Sequence, residues 1–345
     1  MASDVRLAVV GAGLIGKCHI TAILSTNGAA LACIVDPSDT AVEFATARGI
    51  ECYSSIEDMF ENTSVDGVIL ATPSQFHAAG VLICVKNGCP VLVEKPLGVD
   101  TGEAELIVEA AKAANVPLLT GHHRRHGAAV QQAKRIIDQG VLGTVVTFQG
   151  TCWFHKPAGY FDVAWRSRPG GGPIFINLIH DINTMLFLFG DVASVHAMDS
   201  NMIRRGEVED TAAILLRFCN GVLGTITISD TAAAPWSWEM TSGENSAFPK
   251  TSEACYQIGG TQASLALPNL TLWRHDGPQD WLAPILMERI PVETADPLEV
   301  QIQQFSAVIR GEEPPLVSGA DGLRSLRVVE AVKRSIEIGE TISLN

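Results

Sequence analysis

The sequence predicts an α/β protein in two parts: a doubly wound parallel sheet over residues 1–121, then an α+β domain over 122–345 with a mainly antiparallel sheet. Three observations carry that expectation. Short β-branched runs alternate with helical periodicity through the first 121 residues. After Gly121 strand-like runs follow one another, and the hairpin dipeptide Asn220-Gly221 separates two of them. The length, 345 residues, exceeds the ~250–300 at which a single core usually stops growing.

In the first part, strands are expected at Val5–Val10, Leu31–Val35, Gly67–Ala71, Val91–Glu94 and Pro117–Thr120. Each is a continuous apolar run, as a sheet covered on both faces requires. Helices are expected between them at Gly13–Ser25, Thr40–Arg48, Ile56–Glu61, Gln75–Asn87 and Thr101–Asn115. Asn87-Gly88 and Asn115-Val116-Pro117 act as helix stops. In the second part a helix at Ala128–Gln139 ends on Gly140. Strands follow at Val145–Trp153, Val192–Met202, Thr211–Phe218, Val222–Ser229, Ala254–Ile258, Ala263–Ala266 and Leu270–Arg274. Ile174–Phe189 reads as an apolar helix among them, and Leu298–Arg310 and Gly319–Ile338 as two closing helices.

Composition removes several classes of function. Hydrophobic residues at 47% and charged residues at 18% exclude a disordered or fibrous chain. A net charge of −14 repels phosphate backbones and anionic headgroups, so neither a nucleic-acid nor a membrane partner is expected. No run reaches the ~20 apolar residues of a spanning helix. The eight cysteines form no CxxC pair and are expected as free thiols in a reducing cytoplasm. A secretory leader is not expected, because Asp4 offsets Arg6 and Lys17 and His19 break the apolar run.

Gly11-Ala12-Gly13-Leu14-Ile15-Gly16 lies where a strand turns into a helix, the context in which a GxGxxG motif binds a dinucleotide. Gly11 permits the tight turn, Gly13 lets a pyrophosphate reach the backbone, and Gly16 lets the helix sit close to the sheet. Asp36, twenty residues beyond Gly16, ends the second strand, where a carboxylate accepts hydrogen bonds from a ribose. It would repel a 2′-phosphate, and Pro37-Ser38-Asp39 offers no cation to hold one, so NAD is expected in preference to NADP. Glu94-Lys95-Pro96 closes another strand at the edge where open α/β sheets bind ligands. A lysine there, beside an oxidised nicotinamide and low-dielectric walls, is disfavoured as ammonium and suited to hydrogen-bonding a substrate hydroxyl.

These words resemble the Gfo/Idh/MocA oxidoreductases, the relatives of glucose–fructose oxidoreductase and inositol dehydrogenase. The resemblance rests on the glycine-rich start, Ala71-Thr72-Pro73-Ser74-Gln75-Phe76-His77, Glu94-Lys95-Pro96, Gly170-Gly171-Gly172 followed by His180, and the tail Pro297–Phe305 with Ser318–Gly322. It implies a Rossmann domain followed by an open-faced, mainly antiparallel sheet, in a homodimer or homotetramer. It also implies hydride transfer between a nicotinamide cofactor and a secondary alcohol or hemiacetal carbon of a sugar, cyclitol or related polyol. By position, Lys95 would orient substrate and His180 would transfer the proton. Leu14 and Ile15 in the glycine loop, Ala71, Thr72, Pro73, Ser74, His77, Glu94 and the Lys95 backbone would line the cofactor. Trp165 and Arg166 would lie on a loop closing over it, and His123 and Arg124 on a substrate-lining turn.

The sequence departs from the family at Ile176, where relatives usually carry Asp, and at Asn183, where many carry Asp. Asn177 stands next to the first of these and shares a helical face with His180, Asp181 and Thr184. Asn177 and Asn183 are therefore expected to contact substrate. Without the carboxylate, His180 has one anionic neighbour fewer to favour imidazolium. Non-sugar substrates of the dihydrodiol, imine or tetrapyrrole type stay open on this ground, as does an NAD-sensing regulator without turnover. The group His122, His123, His126, Arg124 and Arg125 lacks the spacing of a zinc site, so no metal is expected; it reads as a basic turn for an anionic or polyhydroxyl ligand. Tyr160, Trp236 and Trp238 could stack on a sugar, though aromatics of this kind more often pack a core.

Overall fold

The computed structural model describes residues 3–168, 170–293 and 295–344. The first stretch runs β1 (Val5–Val10), α1 (Leu14–Ser25), β2 (Ala29–Val35), α2 (Asp39–Thr46), β3 (Cys52–Tyr53), α3 (Ile56–Asn62) and β4 (Gly67–Leu70). It continues through α4 (His77–Lys86), β5 (Val91–Val93), α5 (Thr101–Ala113) and β6 (Leu118–Thr120). The start of α3 is fixed by Ser55, whose hydroxyl accepts from the Asp58 N–H, and that of α5 by Asp100, which accepts from Glu103. All strand pairs are parallel in the order β3-β2-β1-β4-β5-β6. The order reverses between β1 and β4, so the crevice at their carboxyl ends is the ligand edge. The two-residue β3 is too short to show a pattern and is absent from the sequence expectation.

The remaining elements are α6 (Ala128–Asp138), β7 (Val145–Trp153), α7 (Ile179–Phe189), β8 (Val192–Ser200), β9 (Thr211–Phe218), β10 (Leu223–Ser229) and α8 (Trp238–Ser242). After them come β11 (Tyr256–Gly260), β12 (Ala263–Leu267), β13 (Thr271–His275), β14 (Ile285–Arg289), α9 (Pro297–Ile309), α10 (Gly319–Ile338) and β15 (Ile342–Ser343). Nine strands form one sheet, β14-β13-β12-β11-β7-β10-β9-β8-β15. Every pair is antiparallel except β7 with β10, which run parallel because the α7–β9 segment lies between them in the chain. Strand β9 alternates strictly, burying Ala212, Ile214, Leu216 and Phe218 and exposing Leu215. The buried face joins Ile226, Ile228, Phe148 and Tyr256 with Ile179, Ile182 and Met185 of α7 in one core.

The chain divides into two compact units, 1–126 with 296–326, and 127–295 with 327–345. The sequence reading runs its second domain unbroken from 122 to 345, whereas α9 places Ile302, Phe305 and Val308 in the first core with Leu7, Val9 and Ile69. Helical periodicity shows that a helix has a buried face and does not show which core receives it. The next residues continue that return, the Thr120 N–H donating to Val317 and Leu119 bridging Ser318 at the β6 edge. Among the described residues no helix is long and apolar enough to cross a membrane.

Candidate active site

In the first unit, the candidate residues follow the carboxyl ends of β1, β2, β4, β5 and β6, which a parallel sheet brings to one edge. Gly11 has φ +92°, and a Cβ there would lie 2.8 Å from the Ala71 carbonyl oxygen. A Cβ on Gly16 would lie 1.9 Å from the Gly11 oxygen, so this glycine is demanded by the turn itself. Gly13 is different: an added Cβ meets no atom within 4 Å. It caps α1 without a side-chain hydrogen bond, Leu14 is 85% exposed and Ile15 half-buried, and the first helical turn holds no acidic residue. Open space above uncapped N–H groups fits a pyrophosphate.

Asp36 is organised by its own turn. Its carboxylate accepts from the Ala12 N–H at 2.8 Å, the Ser38 N–H at 2.9 Å and the Ser38 hydroxyl at 2.6 Å. Burial pushes its pKa up, and these donors outweigh that push and hold it below the ordinary value. It is thus an anion tied to the glycine loop, with lone pairs left for ribose hydroxyls.

After β4, Ala71 is buried and Thr72-Pro73-Ser74 turns outward. His77 was expected to line the cofactor. Instead it is fully buried, with Nδ1 2.9 Å from the Pro96 carbonyl oxygen and Nε2 2.9 Å from that of Thr72. The neutral ring has one N–H, so it donates to one of these carbonyls while the other nitrogen lies against the second, and His77 packs the Thr72 turn against the segment after Lys95. Burial lowers its pKa.

Glu94 is buried after β5, and His19 of α1 donates to its carboxylate at 2.8 Å. The other oxygen accepts from the Lys95 N–H at 3.1 Å. Burial would raise the Glu94 pKa, but the His19 hydrogen bond first, and the Lys95 charge after it, keep it low. Gly121 must be glycine here, since a Cβ would sit 2.8 Å from Glu94 Oε1. The half-buried Lys95 thus leaves a backbone fixed by a buried hydrogen-bonded pair. His19 is a supporting residue that the motif reading missed; its signal was a lone imidazole on the buried face of α1.

The turn after β6 corrects the basic-turn expectation. Burial pushes the His122 pKa well below the ordinary value, that of His123 to about 4 and that of His126 to about 3, so all three are neutral at pH 7. Arg124 is buried, while His123 keeps partial exposure. Arg125 is committed to Asp321, with Nη1 3.0 Å from Oδ1, and Ser318 and Arg324 donate to the same carboxylate.

The second unit carries the other candidates. A wide π-type turn over Ile174–Leu178 precedes α7, a distortion frequent at functional sites. It places Asn177 and His180, 8% and 9% exposed, near the helix start. Asp181 and Asn183 are buried, as is Thr184, whose hydroxyl donates to the His180 carbonyl. The Tyr256 hydroxyl donates to Asp181, so that carboxylate is directed into the sheet core. Asn183, expected to contact substrate, is 1% exposed and lies on a helix whose residues are all buried except Phe187. Trp165 is 54% exposed, and Arg166 donates to the Tyr160 carbonyl at 2.8 Å and stacks on its ring. The glycine run answers to the protein's own chain: a Cβ on Gly171 would meet the Trp165 oxygen at 2.6 Å, and one on Gly172 would meet Glu209 at 2.7 Å.

Lys156, just after β7, was missed. It is 5% exposed, donates to Asn177 Oδ1 at 2.7 Å, and lies 3.8 Å from Asp230, which Arg204 Nε holds at 2.9 Å. No sequence motif surrounds it, and only the fold brings it to Asn177.

Residues 5–122 match the model of the oxidoreductase family with an NAD-binding Rossmann fold, and residues 130–266 match the GFO/IDH/MocA C-terminal domain. Inositol 2-dehydrogenase 4 of Saccharopolyspora erythraea is 32% identical over 65% of this chain and 67% of its own. The chain belongs to the Gfo/Idh/MocA oxidoreductase family. Its Gfo/Idh/MocA relatives include the scyllo-inositol 2-dehydrogenase (NAD(+)) of Bacillus subtilis, 28% identical over 100% of this chain and 98% of the relative. The crystal structure of the WlbA dehydrogenase from Bordetella pertussis, in complex with NADH and UDP-GlcNAcA, superposes with a TM-score of 0.82, 27% identity and 99% coverage of both chains. This family member is therefore an oxidoreductase with an NAD-binding Rossmann domain.

Proposed function

We propose that the protein is an NAD-dependent dehydrogenase moving hydride between the nicotinamide and a secondary alcohol or hemiacetal carbon of a sugar, cyclitol or related polyol. The observation that carries this reading is the fixed Lys95 beside Glu94, at the same sheet edge as the uncapped glycine loop and Asp36. The inositol dehydrogenases among the relatives support the substrate class. Gly11, Gly13, Leu14, Ile15, Gly16 and Asp36 would hold the adenosine and pyrophosphate; Ala71, Thr72, Pro73, Ser74, Glu94, Lys95, Trp165 and Arg166 would surround the rest. NAD supplies the hydride acceptor. Lys95 donates a hydrogen bond to the substrate hydroxyl oxygen and His180 takes the hydroxyl proton, a contribution of ~10²–10⁴-fold for general acid–base catalysis. His123, Arg124 and Asn177 would read the remaining substrate groups. In this reading residues 1–121 bind cofactor and 122–345 serve substrate.

The test is NADH absorbance across cyclitols, aldoses, sugar acids, sugar phosphates and dihydrodiols, with NAD and NADP in parallel. Turnover with NAD on a polyol class is expected. Asp36→Ala is expected to weaken NAD binding by ~10–100-fold, the range of a charge-assisted hydrogen bond, and to spare NADP. Turnover confined to NADP contradicts the role given to Asp36.

We also place the protein in the cytoplasm, with a small-molecule substrate and no nucleic-acid or membrane partner, as a homodimer or homotetramer. Met198, Leu215, Leu223, Trp273 and Leu286, all exposed, lie on strands of the second sheet, and apolar surface of this kind marks an interface. Light scattering at micromolar concentration is expected to give a dimeric or tetrameric mass; a monomer rejects the assembly.

A further inference from the structure

The second unit holds a buried lysine whose side chain, among the described residues, hydrogen-bonds a residue expected to touch substrate. Lys156 Nζ donates to Asn177 Oδ1 at 2.7 Å. An ammonium has donors and no acceptor, so it dictates which way the amide points: the oxygen faces Lys156 and Nδ2 faces away. Among the described residues Nδ2 has no hydrogen-bond partner, and the side chain keeps 8% exposure three residues before His180. Asn177 therefore presents two N–H donors outward. The neighbouring Ile176 adds no carboxylate. A substrate hydroxyl can accept from these donors, but a group made only of acceptors suits them better.

The charges around Lys156 narrow the choice. Asp230 lies 3.8 Å away and is held mainly by Arg204, through Nε to Oδ1 at 2.9 Å and Nη2 to its carbonyl at 2.7 Å. Phe154 and Tyr160 present ring faces to the ammonium at 5.6 and 4.9 Å. Burial lowers the Lys156 pKa, with Asp230, Cys152 and Glu239 opposing that effect and Arg204 adding to it. Lys156 and Arg204 stand among three carboxylates, Asp230, Glu239 and Asp210, the last accepting from the Arg204 N–H. The surroundings carry no excess of positive charge, which works against a phosphate dianion and leaves an acceptor group to the two N–H donors of Asn177.

We propose that Asn177, oriented by Lys156, is a specificity residue that receives a substrate carboxylate, making polyhydroxy acids of the aldonate or uronate kind the preferred substrates. Lys156 acts as a positioning residue and Asn177 makes the contact. The inference rests on the alcohol-oxidising reading above, with the carboxylate held beside the carbon that faces His180.

The experiment compares acid and neutral partners of equal chain length, D-gluconate with D-glucitol and D-galacturonate with D-galactose, with D-glucose 6-phosphate as a third arm. Binding to the full-length protein saturated with NADH is read by cofactor fluorescence, and turnover with NAD by absorbance. The acid of a pair is expected to bind ~10–100-fold more tightly, the range of one charge-assisted hydrogen bond. Asn177→Asp keeps the lysine partner but turns an acceptor outward, so it is expected to reverse the preference toward the neutral partner. Lys156→Met is expected to raise KM for the acid more than it lowers kcat, with NADH affinity unchanged. A role confined to folding predicts no reversal. Preference of the wild type for the neutral partner or the phosphate, failure of every pair to bind, or an Asn177→Asp protein with unaltered preference each overturns the proposal. Acid-selective binding without turnover supports the carboxylate subsite and removes the alcohol-oxidation reading instead.

Discussion

Lys95→Ala is expected to lower kcat by ~10²–10⁴-fold while NADH affinity stays within a few-fold of wild type. The reason is local. The Lys95 N–H is held by Glu94, Glu94 is held by His19, and Gly121 leaves room for that carboxylate. Truncating the side chain leaves this backbone frame intact, so the dinucleotide loop at Gly11–Gly16 and Asp36 still functions. What is removed is the donor to the substrate oxygen, felt in the transition state more than in binding. Stopped-flow turnover beside fluorescence titration of NADH separates the two. Near-normal turnover would remove Lys95 from the chemistry, and joint loss of turnover and NADH binding would make it a structural residue.

The second large effect is on stability. Asp321→Asn is expected to cost about 3–5 kcal/mol, the range for breaking a buried ion pair from one side. Arg125 is 3% exposed and its guanidinium lies 3.0 Å from the Asp321 carboxylate. Burial pushes the Asp321 pKa up, but Arg125, Ser318 and Arg324 pull it down to about 2. A carboxyl depressed in the folded state stabilises the fold above its unfolded value of about 3.9, and that contribution is lost as pH falls toward the folded value near 2. Urea denaturation at pH 7 should therefore show a lower midpoint with unchanged slope, and the gap between variant and wild type should narrow as the solution is acidified. A difference below about 1 kcal/mol at pH 7 would mean that solvent already screens the pair.

The legible part of the fold is the part with short-range grammar. The strand Val5–Val10 reads from a continuous apolar run, and Val145–Trp153, Thr211–Phe218 and the helix Gly319–Ile338 read from period, because their buried faces repeat every two or about 3.6 residues. The glycine loop and Asp36 were equally legible, since a turn that must admit a pyrophosphate constrains residue type at fixed spacing. Where periodicity is short or absent the reading stopped: β3 has two residues, and every residue of β14 is exposed.

By itself the sequence determined the α/β class, the dinucleotide-binding loop with Asp36 and the family word Glu94-Lys95-Pro96, all of them patterns within one chain segment. Only tertiary structure decided the rest. It showed the basic turn after β6 to be three neutral imidazoles and an arginine paired with a residue nearly two hundred positions later. It buried His77 between two carbonyls, buried Asn183, and set Lys156 against Asn177. Burial and pairing are properties of what lies across space, and a residue's charge, donor direction and availability to a ligand depend on neighbours that sequence spacing does not name.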